Sequence, residues 1–226
     1  MASVVLGYSE SSKMCGINGI YAFRESAPSI SAEELKATRD HMAARGPDGH
    51  GAWIAEDRRI GFGHRRLAII DLSDTAGQPM ASVDGRYQLV FNGEIYNYRA
   101  LRKQLQATGS VFRTHSDTEV LLHLYAQRGA AMLQELRGMF ALALWDSVER
   151  RLFLARDPYG IKPLYYSVSG GTLRFASQVK ALLAGGAVSR ETDPAGQVGF
   201  FLFGSVPEPF TWYTDIKALP AGYSLT

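Results

Sequence analysis

The chain has 226 residues, of which 46% are hydrophobic and 20% charged, with a formal net charge of +2 at pH 7. This composition argues against intrinsic disorder, and so small a net charge gives no reason to expect nucleic acid or an anionic membrane as a partner. The single cysteine excludes an internal disulfide, and no apolar run approaches the ~20 residues of a membrane span. Because the N-terminus also lacks a signal-peptide pattern, we expect a soluble cytoplasmic protein.

The first half of the chain predicts short strands and one early helix. Residues 1–13 show no helical or strand period and are interpreted as a tail. Ser31 and Glu34 form a capping box that predicts a helix start, and Asp84-Gly85 predicts a hairpin. Strands are predicted by alternation over 15–23, 52–54, 60–64, 67–72 and 87–91.

The second half predicts a block of helices and then more strands. Apolar periodicity predicts helices over 98–107, 117–127 and 130–136. Strands are predicted over 140–146, 152–157, 164–167 and 173–177. Because the helices come in two blocks and do not alternate regularly with strands, a layered α+β fold is favoured over a parallel doubly wound one.

The last forty residues differ in composition from the rest. From about residue 185 the chain is rich in glycine, proline and aromatic residues. We predict an N-terminal extension over 1–14, one domain over 15–185, and a linker over 186–226 that leads to a domain absent from this sequence. The apolar stretch 200–203 is expected to be covered by that domain.

Cys15 has two interpretations. A lone cysteine is usually a small buried hydrophobic residue. The alternative follows from Met14, because an initiator methionine before a small residue is the kind that is removed. Cys15 would then carry a free α-amino group with a pKa of about 8, and so a nucleophile and a base on one residue.

Asn92-Gly93 also has two interpretations. The pair is typical of a type I′ hairpin turn between 87–91 and the residues that follow. It could equally form an oxyanion hole, from the Asn92 amide and the Gly93 N–H. Arg65, Arg66, Glu94 and Asp117 could all be solvated surface charges, and the five histidines show no metal-ligand spacing.

Eight segments in order resemble the glutamine amidotransferase domain of the asparagine synthetase family, which is class II with an N-terminal nucleophile. They extend from Met14 to about residue 183. The segments are Met14-Cys-Gly-Ile, Arg45-Gly-Pro-Asp, His64-Arg-Arg-Leu-Ala-Ile-Ile-Asp, Asn92-Gly-Glu-Ile-Tyr-Asn, Ser116-Asp-Thr-Glu-Val, Gly138-Met-Phe-Ala-Leu-Ala, Arg156-Asp-Pro-Tyr-Gly-Ile-Lys-Pro-Leu-Tyr and Ala176-Ser-Gln-Val-Lys.

The resemblance implies a four-layer αββα sandwich and the hydrolysis of glutamine to glutamate and ammonia. By position Cys15 matches the nucleophile, and its own α-amino group the general base. The oxyanion of the tetrahedral intermediate would be held by Asn92 Nδ2 and the Gly93 N–H. This half would need no cofactor and no metal.

The resemblance also assigns a glutamine-binding pocket. Arg66 would bind the α-carboxylate, while Glu94 and Asp117 would hold the ammonium. Arg65 does not fall on the matching position. The backbone that would line the pocket belongs to Leu67, Ala68, Ile69 and Ile70.

Two features depart from the family pattern. The residues before Met14 would block the amine of Cys15, so we expect that Met14 is the true start, or that the extension is removed. The synthetase domain, which in the family uses ATP and magnesium to activate aspartate for amide transfer in asparagine biosynthesis, is absent. Expected partners are therefore L-glutamine and a synthetase domain in cis or in trans, with a homodimer left open.

Two other functions stay open. The chain could be a non-catalytic glutamine-binding or truncated module, or an amidotransferase half whose acceptor is not aspartate.

Overall fold

Two antiparallel sheets stacked face to face form the centre of the molecule in a computed structural model, which describes residues 14–67 and 77–226. The strands are β1 (Gly16–Ala22), β2 (Gly49–Ile54), β3 (Ile60–Arg66), β4 (Met80–Ala81), β5 (Tyr87–Ile95), β6 (Gly138–Asp146), β7 (Arg151–Arg156), β8 (Tyr165–Ser169), β9 (Thr172–Ala176), β10 (Lys217–Ala218) and β11 (Ser224–Leu225). Within the described residues one sheet has the order β10-β8-β9-β1-β3-β2 and the other β11-β7-β6-β5-β4.

Helices cover the outer face of each sheet. They are α1 (Ala32–His41), α2 (Tyr98–Ala107), α3 (Asp117–Arg128) and α4 (Val179–Ala184), whereas α5 (Pro194–Phe203) packs against residues 206–211. Helices α1 and α4 pack on the six-stranded sheet, and α3, with α2 against it, packs on the five-stranded sheet. The expected four-layer αββα sandwich is therefore confirmed.

Strict alternation along β5 separates two hydrophobic cores. Leu89 and Phe91 are buried against the helices, whereas Val90, between them, is buried between the sheets. Because successive side chains of a strand point to opposite faces, each strand contributes to both layers. The same alternation decides which polar side chains enter the space between the sheets.

Most predicted elements are present with small changes at their ends. Helix α2 has the predicted bounds, and α1 follows its predicted cap, because Ser31 Oγ accepts the Glu34 N–H at 3.1 Å. The Glu34 carboxylate pairs with Arg174 of β9 instead of returning to the cap. The predicted helix over 130–136 is a 3₁₀ turn over Gly129–Gln134.

The last forty residues are more ordered than a linker. They contain α5 and two short strands, of which β10 pairs with β8 in one sheet and β11 with β7 in the other. On α5 the side chains of Phe201 and Phe203 are 79% and 71% exposed. The division of the chain at residue 185, and the cover expected for 200–203, stay predictions.

Asp157 fastens the end of β7 to the loop that follows. Its carboxylate is completely buried. Its oxygens accept four main-chain N–H groups at 3.0–3.1 Å, those of Phe140, Tyr159, Ile161 and Lys162. An anion satisfied by backbone donors holds such a loop in one conformation.

No helix of the described residues has the length and apolar character needed to cross a membrane.

Asp157→Asn should lower the free energy of unfolding by about 2 to 3 kcal/mol, because an amide NH₂ would replace an acceptor that faces backbone donors. Urea denaturation measures the change. The exposed Asp215→Asn is the matched control and should unfold as the wild type does. Equal stability of the two variants would contradict the role given to Asp157.

Candidate active site

Strand alternation brings several of the predicted site residues into the space between the two sheets. On β3, Phe62 belongs to the inter-sheet core. Arg66 lies four residues further along the strand and therefore faces the same space. On β5, Val90 belongs to that core, so Asn92 and Glu94 face the same space. Cys15 lies immediately before β1, two residues from inter-sheet Ile17.

The pairing of β1 with β3 places Cys15 beside Leu67. Gly16 lies opposite Arg65 in this register, so the residues that extend the two strands are neighbours. The Leu67 N–H donates to Cys15 Sγ at 3.3 Å, and Sγ lies 3.5 Å from the Leu67 carbonyl oxygen. The thiol is thus held at the end of β3, next to Arg66.

Arg45 supports the main chain at Cys15. Its Nη2 and Nε donate to the Cys15 carbonyl at 3.2 and 3.4 Å, and its own carbonyl accepts the Met14 N–H at 2.9 Å. A Cβ on Gly46 would lie 2.5 Å from the Arg65 carbonyl carbon, so only glycine lets this loop approach β3 so closely. No role was expected for Arg45, although it begins one of the motifs that carry the resemblance.

Burial dominates the ionisation of the Cys15 thiol. It raises the pKa of the thiol, while the Leu67 N–H and the positive charges of Arg66, Lys162 and Arg45 oppose the rise. A thiol with a raised pKa is protonated at neutral pH. It therefore needs a base to become a nucleophile.

Asn92 carries a buried donor that no acceptor of the described residues satisfies. The residue is 1% exposed, and within residues 14–67 and 77–226 its Nδ2 has no hydrogen-bond partner. An unsatisfied buried amide costs about 1 to 3 kcal/mol. A ligand oxygen in the inter-sheet space would satisfy it.

Gly93 lies inside a continuous strand, so the alternative of a hairpin turn at Asn92-Gly93 is wrong. The strand pairs with β6 throughout, and Gly93 lies opposite Phe140. A Cβ on Gly93 would come within 2.2 Å of the Met139 carbonyl oxygen. Close approach of β6 therefore requires glycine there.

The Gly93 N–H points away from β6. Both the N–H and the carbonyl of Phe140 bond with Asp157, so Phe140 forms a non-hydrogen-bonded pair with Gly93. On the same edge of β5, the N–H of Phe91 donates to Gln78 Oε1 and that of Ile95 to Asp117 Oδ2. The Gly93 N–H thus lies between these two side chains.

Asp117 begins α3, where Ser116 Oγ caps the helix. Its carboxylate is 4% exposed and accepts the Ile95 N–H at 3.0 Å. Burial raises the pKa of Asp117 to about 6, against the hydrogen bonds from Ile95 and Thr118 and with a further rise from the charge of Glu94. Two carboxylates next to each other would favour a bound ammonium.

His64 joins the two sheets beside this site. Its side chain is 1% exposed and hydrogen-bonded to the main chain of Phe91. Burial lowers the pKa of His64 to about 3, so the ring is neutral. Since Nε2 finds no partner among the described residues, Nδ1 makes the bond to Phe91, the residue before Asn92.

The remaining predicted residues divide into two groups. Arg65 pairs with Asp40 of α1 at 2.6 Å, which agrees with its place outside the matching position. Ala68, Ile69 and Ile70 lie outside the described residues. In the part of the chain that the structure describes, no cluster of three His, Cys, Asp or Glu side chains could hold a metal ion.

Comparison with known proteins agrees with this arrangement. Residues 14–226 match a family model described as a glutamine amidotransferase domain. The chain is 41% identical over 214 residues to asparagine synthetase [glutamine-hydrolyzing] 1 of Bacillus subtilis, covering 94% of this chain and 33% of that protein. It is 41% identical over 224 residues to a putative asparagine synthetase [glutamine-hydrolyzing] of Mycobacterium tuberculosis, covering 92% and 34%.

A solved structure shares the fold. Glutamine phosphoribosylpyrophosphate amidotransferase from B. subtilis superposes with a TM-score of 0.64 at 26% identity, over 80% of this chain and 46% of that one. The chain spans about a third of the length of the curated relatives that it matches.

The raised pKa of Asp117 predicts a pH-dependent stability difference between the wild type and Asp117→Asn. A folded-state pKa of about 6 exceeds the ordinary value of about 4. Protonated Asp117 therefore contributes its full stabilisation of the folded state below pH ~4. That contribution is lost as the pH rises through 6. The free energy of unfolding of the wild type, relative to the variant, should fall by about 1 to 3 kcal/mol between pH 4.5 and 7.5. A difference that does not change with pH would rule out the raised value.

Proposed function

The chain belongs to the glutamine amidotransferase domain family, and we propose that it hydrolyses the side-chain amide of L-glutamine to glutamate and ammonia. The observation that carries the proposal is the buried, unpartnered Asn92 amide, which faces the same inter-sheet space as Cys15. A nucleophile and an unsatisfied donor on facing sheets are what acyl transfer needs.

The reaction starts from Cys15 as the first residue of the mature chain. Its α-amino group accepts the thiol proton, and Sγ bonds to the amide carbon of glutamine. The tetrahedral intermediate collapses, the C–N bond breaks, and the amine returns the proton to the departing ammonia. Water, activated by the same amine, then hydrolyses the thioester to glutamate.

Asn92 and Gly93 stabilise the oxyanion. The Asn92 Nδ2 supplies one donor and the Gly93 N–H the other, and both are positioned by β5 before substrate arrives. Preorganised donors in a site without bulk water are worth more than the same donors in solution.

The substrate is recognised through both of its charges. The Arg66 guanidinium binds the α-carboxylate, and the carboxylates of Asp117 and Glu94 bind the ammonium. The backbone of Leu67 continues into residues 68–70, which line the same pocket. Below pH ~6 protonation of Asp117 weakens this recognition.

The ammonia passes to a synthetase domain in cis or in trans. Support comes from the curated relatives, which are named as glutamine-hydrolysing asparagine synthetases and are about three times as long as the matched part. We assign aspartate as the acceptor, and ATP and magnesium to that second domain. The role of the glutamine amidotransferase domain is then to supply the ammonia.

The proposed base requires a free amine on Cys15. Protein expressed from Met14 should lose that methionine and release glutamate from glutamine, with ammonia in equal amount. Intact mass and a glutamate assay on one sample measure both. The same chain with Cys15→Ala is the control and should bind glutamine but release none.

Protein that begins at Cys15, is folded, and releases no glutamate would refute the hydrolase and leave a glutamine-binding module. Protein that retains residues 1–14 and is as active as the processed form would refute the α-amino group as base.

Asn92 and Arg66 should affect different kinetic constants. Asn92→Ala removes a donor that acts in the transition state, so kcat should fall about 10²- to 10³-fold with little change in KM. Arg66→Ala should mainly raise KM. Asn97→Ala, whose amide bonds the main chain of Glu135 and Arg137, is the matched control and should keep the wild-type kcat. The opposite pattern for Asn92 would make it a structural asparagine.

A further inference from the structure

Lys162 places a second buried cation at the start of the nucleophilic strand. Its side chain belongs to the loop after β7 and is 7% exposed. The ammonium Nζ lies 3.1 Å from Met14 Sδ, one residue from Cys15. A side chain that is 148 positions from Met14 in the sequence thus reaches the residue that precedes Cys15.

No ion pair of the described residues neutralises this ammonium. Asp157, the acidic residue of the same loop, directs its oxygens to backbone N–H groups. The thioether of Met14 is only a weak acceptor. Burying a charge without a counter-ion is costly, and an apolar side chain would fill the same space more cheaply.

The loop fixes where this charge lies. The Lys162 N–H donates to Asp157 Oδ2 at 3.0 Å, and its carbonyl accepts Arg156 Nε at 2.8 Å. Both main-chain groups of Lys162 are therefore held by buried partners, and the side chain extends from this fixed point to Met14, next to Cys15. Such rigid support is what an electrostatic role requires.

We propose that Lys162 is a positioning residue whose ammonium stabilises the anionic sulfur of Cys15. In the uncharged thiol state no carboxylate of the described residues forms an ion pair with the buried ammonium, although Asp157 and Glu94 act on it from farther away. Ionisation of Cys15 adds a further negative charge near it. Lys162 thereby offsets part of the desolvation that opposes thiolate formation. The catalytic consequence rests on the proposed glutamine hydrolysis, but the effect on the thiol does not.

Several other groups act on the same two charges. The positive charges of Arg66 on β3 and Arg45 in the loop after α1 also act on the thiol. The charges that act on the Lys162 ammonium are those of Arg45, Cys15, Asp157 and Glu94. Burial and Arg45 lower the pKa of Lys162, while Cys15, Asp157 and Glu94 raise it. Replacing Lys162 leaves Arg45 and Arg66 in place, so the change in the thiol is graded.

The single cysteine makes the test direct. Alkylation of the full chain by iodoacetamide reports Cys15 alone, since the chain holds one thiol. The rate is measured against pH for the wild type, Lys162→Met, Lys162→Gln and Lys162→Arg. The two neutral variants should raise the titration midpoint by about one pH unit and slow alkylation about tenfold below it.

Lys162→Arg should keep the wild-type midpoint, because it keeps the charge. Lys103→Met, an exposed lysine of α2, is the matched control and should also titrate as the wild type does. Two neutral variants suit the test because either one alone could misfold. A wild-type midpoint in either folded neutral variant, or an equal shift in Lys162→Arg, would overturn the proposal.

Glutamate release from glutamine is measured on the same variants expressed from Met14, so that Cys15 becomes the first residue. An inactive wild type whose thiol midpoint still depends on Lys162 would refute the proposed hydrolysis and leave this inference standing. An active wild type whose thiol midpoint does not change when Lys162 is replaced would refute this inference and support the proposed hydrolysis.

Discussion

The antiparallel pairing of β1 with β3 is the constraint on which the site depends. It sets Gly16 opposite Arg65, so that Cys15 meets Leu67 where the strands leave the sheet. The strand period then directs the thiol, the Arg66 guanidinium and the Asn92 amide into one space. A shift of one residue in this register would reverse the facing of every side chain on the strand, and the Cys15 thiol would lie against the outer helices.

The electrostatics of the site follow from its depth. Placing a thiol between two sheets removes water, and that opposes its ionisation more than any neighbour helps it. The same dry environment makes each nearby charge and dipole count for more. Arg45 and Lys162 come to this point from two different loops, while His64 contributes no charge because its ring is neutral.

Local patterns are sufficient to predict the longer strands, α2 and the cap of α1, since these depend on neighbours within one or two turns. The two-residue strands β4, β10 and β11 were not predicted. The strand predicted over 67–72 lies beyond residue 67 outside the described residues. Helix α5 was missed because glycine and aromatic residues obscured its period. The sequence nevertheless contains a helix-start pattern, an aspartate followed by a proline. In the structure Asp193 is the N-cap, whose carboxylate accepts the Ala195 N–H, and Pro194 lies in the first turn. The choice between a turn and a strand at Asn92-Gly93 depended on β6, which is distant in sequence. The positions of Arg45 and Lys162 at the nucleophile are tertiary facts of the same kind, while residue roles came from family resemblance and stay predictions.

Strands β10 and β11 have a practical consequence for the size of a stable fragment. Each is only two residues long, yet each covers the outer strand at one edge of a different sheet. A fragment cut near residue 185 would expose the backbone of β8 and β7 at the same time, and open strand edges promote intermolecular pairing. By covering these two edges, residues 186–226 therefore protect the fold against aggregation.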